Sequence, residues 1–103
     1  MYNKLVRDKI PDIIKANGEI PITRILDDEE YKLELEKKLH EEYLEVLDAA
    51  GDSRIEELAD MLEVMEALAS VENKTLEDVL SVKAKKQENR GAFKDKIYLE
   101  GVE

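Results

Sequence analysis

Residues 35–69, LEKKLHEEYLEVLDAAGDSRIEELADMLEVMEALA, decide the fold class. Leu35, Leu39, Tyr43, Val46, Leu47 and Ala50 recur at helical period until Gly51. The helix they predict opens at Asp27, which stands three positions before Glu30 in a capping arrangement. After Gly51, Ser53 with Glu56 reads as a capping box for a second helix. Its Ile55, Leu58, Met61, Leu62, Met65, Leu68 and Ala69 are apolar on more than one side, as in a central helix buried on two faces. The link from Ala49 to Ser53 is too short for anything but a tight reversal, so the two helices should be antiparallel neighbours.

Outward from this hairpin the signals are shorter. Thr75 with Asp78 repeats the capping spacing, with Asp in place of Glu, and opens a last helix carrying Leu76, Val79 and Leu80 before Arg90-Gly91. Upstream, Val6, Ile10, Ile13 and Ile14 sit at helical spacing with Pro11 in the first turn and Asn17-Gly18 as a stop, which predicts a short helix over 6–17. Residues 20–26 are β-branched and alternating, and residues 93–100 alternate loosely, so these segments are expected to pair as a small β adornment. The expected fold is all-α, a helical bundle of about four helices in one domain over residues 1–103.

Composition agrees and excludes several classes. Of 103 residues, 41% are charged and only six are Gly or Pro, a balance that favours helices covering half or more of the chain. The net charge of -10 repels a phosphate backbone, and no basic stripe overcomes it, so no nucleic-acid polymer is expected as partner. No apolar run approaches membrane-spanning length and Met1 to Lys9 lacks a signal-peptide core, which reads as a cytoplasmic protein with no membrane association. With no cysteine, any metal is expected to be held by oxygen. The core is modest, and a partner subunit is expected to complete it.

On a helix, residues three apart share a face, so Glu42 with Glu45 and Glu57 with Asp60 form two carboxylate pairs on the two hairpin helices. Around the first helix, Glu42 lies within the arc of Leu35, Leu39 and Val46. Around the second, Glu57 lies within that of Met61, Val64 and Leu68, with Asp60 at its margin. An unpaired carboxylate in a bundle core costs several kcal/mol, so acids pointing inward require neutralisation, a cation or a metal. Four such oxygens suit one or two hard cations such as Mg²⁺. The competing reading is equally plain: with 26 acids in the chain, the spacing recurs by chance, as at Glu63 with Glu66, and most acids are solvated. The lone His40 lies off the Glu42 face and reads as a surface residue. A ferritin-like di-iron site requires Glu-x-x-His on two helices, and the chain has one histidine.

The apolar stripe of the last helix continues as Lys83, Lys86, Gln87 and Arg90. Cations suit a helix C-terminus, which accounts for Arg90, and an inward basic cluster also suits a polyphosphate beside a metal. Lys4, Arg7 and Lys9 form a second basic group ahead of the first helix.

At these residues the chain resembles the all-α nucleoside triphosphate pyrophosphohydrolase superfamily, which includes MazG, dimeric dUTPases and phosphoribosyl-ATP pyrophosphohydrolase. Its E-x-x-E and E-x-x-D signature is matched by Glu42, Glu45, Glu57 and Asp60, and its basic Arg-Gly-terminated segment by Lys83, Lys86, Arg90 and Gly91. The opening Tyr2-Asn-Lys-Leu-Val-Arg-Asp-Lys-Ile-Pro11 looks like that of a MazG-like, phosphoribosyl-ATP-pyrophosphohydrolase-like subgroup of short proteins. Only eleven residues separate Glu45 from Glu57, a short interval for the family that would tighten the hairpin.

The resemblance implies a Mg²⁺-dependent hydrolase that takes one or two ions, with Mn²⁺ as a substitute, and cleaves a nucleoside triphosphate or related nucleotide to monophosphate and pyrophosphate. Glu42, Glu45, Glu57 and Asp60 would hold the metal. Glu41, Glu56 or one of the ligands would orient the attacking water. Lys83, Lys86 and Arg90, with Lys4 and Arg7 as lesser candidates, would bind phosphates. It also implies a homo-oligomer, a dimer or tetramer with sites near subunit interfaces. Two alternatives stay open: phosphoribosyl-ATP as substrate, and a non-catalytic helical interaction module whose acids are solvated.

Overall fold

Four helices and the turns between them make up the computed structural model, which describes residues 3–103. They are α1 (Ile10–Ala16), α2 (Asp28–Asp48), α3 (Asp52–Val71) and α4 (Leu76–Arg90). About 62% of the residues are helical, and the chain is all-α. Tyr2, the start of the N-terminal block, lies outside the described residues.

Each boundary has a local cause. Helix α1 begins at Ile10 rather than near Val6 because Pro11 has no N–H and its ring would clash with the carbonyl four residues back, which confines it to a first turn. Asp27 caps α2 by accepting from the Glu30 N–H at 2.8 Å. The Glu30 side chain does not complete a capping box; it takes a forked bond from Arg24 at 2.7 and 3.2 Å.

Between α2 and α3 the chain reverses in three residues. Gly51, at φ +58, is the N-cap of α3. Arg54 Nε donates to the Ala49 carbonyl at 2.8 Å and clips the turn. Ser53, expected as the cap, falls inside the first turn, because the positive φ at Gly51 lets the helix start two residues earlier. The box at Thr75 and Asp78 forms in full: the Asp78 N–H donates to Thr75 Oγ1 at 3.2 Å, and the Thr75 N–H to Asp78 Oδ2 at 2.8 Å.

Helices α2 and α3 pack along their length, whereas α4 only brushes α3, and α1 packs against no other helix among the described residues. The radius of gyration is 17.9 Å, against about 13 Å for a compact domain of this length. Among the described residues only Leu35 (3% exposed) and Val64 (8%) are buried apolar side chains. Helix α3 is thus covered on one face rather than two: Ile55 stays mostly in solvent, and Leu58, Leu62 and Met65 remain partly exposed.

The pairing expected between residues 20–26 and 93–100 does not form, and no strand occurs among the described residues. Ile22 is 99% and Phe93 100% exposed. A two-stranded ribbon is marginal without an apolar face beneath it, and Pro21 removes a ladder donor. No helix is long and apolar enough to cross a membrane among the described residues.

Candidate metal centre

The two buried apolar residues locate the site. Leu35 and Glu42 are seven residues apart on α2, and Glu57 and Val64 seven apart on α3, so each acid repeats its helix's buried position two turns nearer the turn. One layer of the hairpin seam is Leu35 with Val64; the layer nearer Gly51 contains Glu42 and Glu57. The three-residue reversal aligns these layers.

Glu42 is a buried charged residue, 8% exposed. Its Oε2 has no hydrogen-bond partner, and neither has Oε2 of Glu57. Oxygens of Glu42, Glu57 and Asp60 all lie within 4.8 Å of one another. An octahedral Mg²⁺ with bonds of ~2.0–2.1 Å spreads its oxygens over ~3–4 Å, so small side-chain movements would bring these three into its shell. The donor set is all oxygen, as a hard cation requires.

The electrostatics record the same crowding. Burial, followed by the charges of Glu45 and Asp60, pushes the Glu42 carboxyl above its usual range. Glu57 rises further, to about 7, through a hydrogen bond shared with Glu45, then burial, then the charges of Glu45, Asp60 and Glu42. A bond between two carboxylates exists only with a proton between them. When both are ionised no donor remains, consistent with the orphaned Glu57 oxygen. Protons and metal ions are therefore alternative ways of neutralising one cluster. Glu45 is exposed and adjoins Glu57, outside the three-oxygen group.

Other predicted residues are placed differently. Glu41 lies on the exposed side of α2, 3.5 Å from Lys38, and Glu56 is exposed on α3. Lys83, Lys86 and Arg90 are exposed along α4, and no ion pair joins them to the acids among the described residues. The stripe read as inward has no helix to face, because α4 leaves the hairpin. His40 is exposed, with its ring 5.9 Å from Tyr43. Lys4 precedes α1 and is exposed.

Arg7 reaches the site itself. Its Nη2 donates to Asp60 Oδ1 at 2.7 Å, and its Nη1 lies 3.7 Å from Glu63 Oε1. The sequence marks Arg7 only as a lesser phosphate candidate and Glu63 only as a chance acid, because a contact across 53 positions leaves no local signal. Lys38, whose charge opposes the rise at Glu42, was missed although its i,i+4 spacing to Glu42 was there to read.

No protein-family model matches the chain, and no solved structure does. A protein of Mycolicibacterium smegmatis described as uncharacterized is 47% identical over 51 residues, which is 50% of this chain and 50% of that protein. The matched region thus spans half the length of that relative.

Proposed function

We propose that the hairpin acids hold Mg²⁺ and that the chain is a Mg²⁺-dependent nucleotide pyrophosphohydrolase, converting a nucleoside triphosphate to monophosphate and pyrophosphate. The observation that carries the metal reading is the Glu42 carboxylate, buried in the seam with an oxygen that no protein donor reaches. A core position of this kind disfavours the interaction-module reading, whose acids would be solvated. The nucleotide part rests on the resemblance of Glu42, Glu45, Glu57, Asp60 and the Arg90-Gly91 segment to the pyrophosphohydrolase superfamily.

In this reading Glu42, Glu57 and Asp60 hold the metal, with Mn²⁺ as an alternative, and Glu45 completes the set from beside Glu57. A bound divalent ion neutralises phosphate charge and lowers the pKa of the attacking water. Glu41, Glu56 or one of the ligands orients that water. Lys83, Lys86 and Arg90 bind the phosphates and steady the departing pyrophosphate, with Lys4 and Arg7 assisting. A cytoplasmic setting, where nucleotides are supplied, goes with this activity.

A homo-oligomer belongs to the same proposal. A chain of this length with two buried apolar residues among those described, and with half-exposed Val79, Leu80 and Val82 on α4, has apolar faces that a second copy would cover. The α4 helix of a partner would also supply the basic residues that this chain holds away from its own acids.

The test is pyrophosphate release over the common nucleoside triphosphates and phosphoribosyl-ATP, with Mg²⁺ present and with chelator. Release that needs Mg²⁺ and is lost in Glu57→Gln is expected. Silence across the panel from folded protein defeats the hydrolase reading, and release from phosphoribosyl-ATP alone substitutes that narrower substrate.

A further inference from the structure

The N-terminal segment enters the acidic site through one side chain. Arg7 precedes α1 in an irregular stretch, and its guanidinium lies on Asp60, the outermost of the three grouped acids, and near Glu63 one turn on. It does not satisfy the inner acids, since Glu42 and Glu57 each keep an unpartnered oxygen. The site is therefore unevenly neutralised: a guanidinium from elsewhere in the chain sits on Asp60 at its mouth, while the inner oxygens of Glu42 and Glu57 have no hydrogen-bond partner among the described residues.

We propose that Arg7 is the resident counter-cation of this site, that a divalent metal displaces it from Asp60, and that metal occupancy thereby releases the N-terminal segment and α1 from α3. The inference rests on the metal reading above and goes beyond it by coupling the site to a distant part of the chain. The physical reason is a competition for one carboxylate. A divalent ion shared among Glu42, Glu57 and Asp60 draws the Asp60 oxygens toward the floor of the site, and its charge opposes a guanidinium at the mouth. The Arg7 pair is poorly placed to resist, because both partners are largely exposed, at 56% and 42%, and exposed ion pairs are weak and screened. Helix α1 itself is seven residues long, with no packed helical neighbour and no fully buried residue among those described; Leu5, Ile10, Pro11 and Ile14 are half-buried. Once displaced, the guanidinium stands free beside the metal, where an anionic ligand of that metal would meet it.

Two measurements test this on the full chain. Binding of Mn²⁺, followed by loss of the free ion's paramagnetic resonance signal at low ionic strength, compares the wild type with Arg7→Gln and with Lys9→Gln. The second variant removes the same charge from the same segment without touching Asp60. Amide hydrogen exchange of residues 10–16, with and without saturating Mg²⁺, follows the segment. The expected result is exchange in the wild type that is several-fold faster with Mg²⁺. Arg7→Gln should already be fast without metal and bind Mn²⁺ several-fold more tightly, and Lys9→Gln should behave as wild type. Metal binding that leaves wild-type exchange unchanged overturns the latch alone. So does weaker Mn²⁺ binding by Arg7→Gln, which would make Arg7 a positioning residue for Asp60, or a Lys9→Gln that matches Arg7→Gln. A wild type that binds no Mn²⁺ overturns the metal reading and this inference with it.

Discussion

The α2–α3 hairpin and the α4 helix with its tail are written in the same amphipathic style and end in different states. In the hairpin, a three-residue turn clipped by Arg54 sets two apolar stripes against each other, burying Leu35 and Val64 and carrying Glu42 and Glu57 into the seam. In α4, a complete capping box and a Gly91 stop define the helix just as clearly, yet Val79, Leu80 and Val82 remain about half exposed. The difference is in what faces the stripe. Local signals are sufficient to form a helix, whereas burial and the pKa shifts that follow from it need a second surface at the right distance.

Substitution in the two regions sharpens this contrast most. Leu35→Ala removes the most buried apolar side chain of the seam and should cost about 2–5 kcal/mol in urea unfolding. Leu80→Ala should cost well under that in dilute protein, where the side chain is already about half exposed. If copies associate through α4, the Leu80→Ala penalty should grow with protein concentration. Equal costs for both substitutions at every concentration would break the comparison.

The next effect is on pH dependence. Glu57 has its folded pKa raised from an ordinary 4.5 to about 7, so between those values the folded state holds more protons than the unfolded. Stability of the metal-free protein should therefore fall as pH rises through that window and level off above about 7. Melting temperatures at pH 5, 6, 7 and 8 with chelator measure it. Saturating Mg²⁺ should remove most of the decline, and Glu57→Gln should flatten it while cancelling the Mg²⁺ effect. A profile that rises over this window would contradict the crowding of the four acids.

The smallest effect belongs to the cap. Thr75→Ala opens the box at the start of α4 and should cost about 0.5–2 kcal/mol of local helix stability. Because α4 is so lightly packed, the loss should show first in amide exchange over 76–90 rather than in the melting of the hairpin.

Much of this was legible in the residues. Helical period, the Asp27 cap, the Thr75 box and the stops at Gly18 and Gly91 set the helix order, because caps and periodicity act over three or four positions. The inward direction of Glu42 and Glu57 was legible for the same reason, as each repeats an apolar position of its own helix. Apart from the Ser53 cap and the start of the first helix near Val6, the differences fell where a partner surface was assumed: a second covered face on α3, an inward basic stripe on α4, and pairing between residues 20–26 and 93–100. Only the tertiary structure decided that Glu42 and Glu57 each keep an unpartnered oxygen, that burial and neighbouring acids raise the Glu57 pKa, and that Arg7 rests on Asp60. These depend on distances between residues far apart in the chain, and desolvation and charge act through space rather than along the sequence.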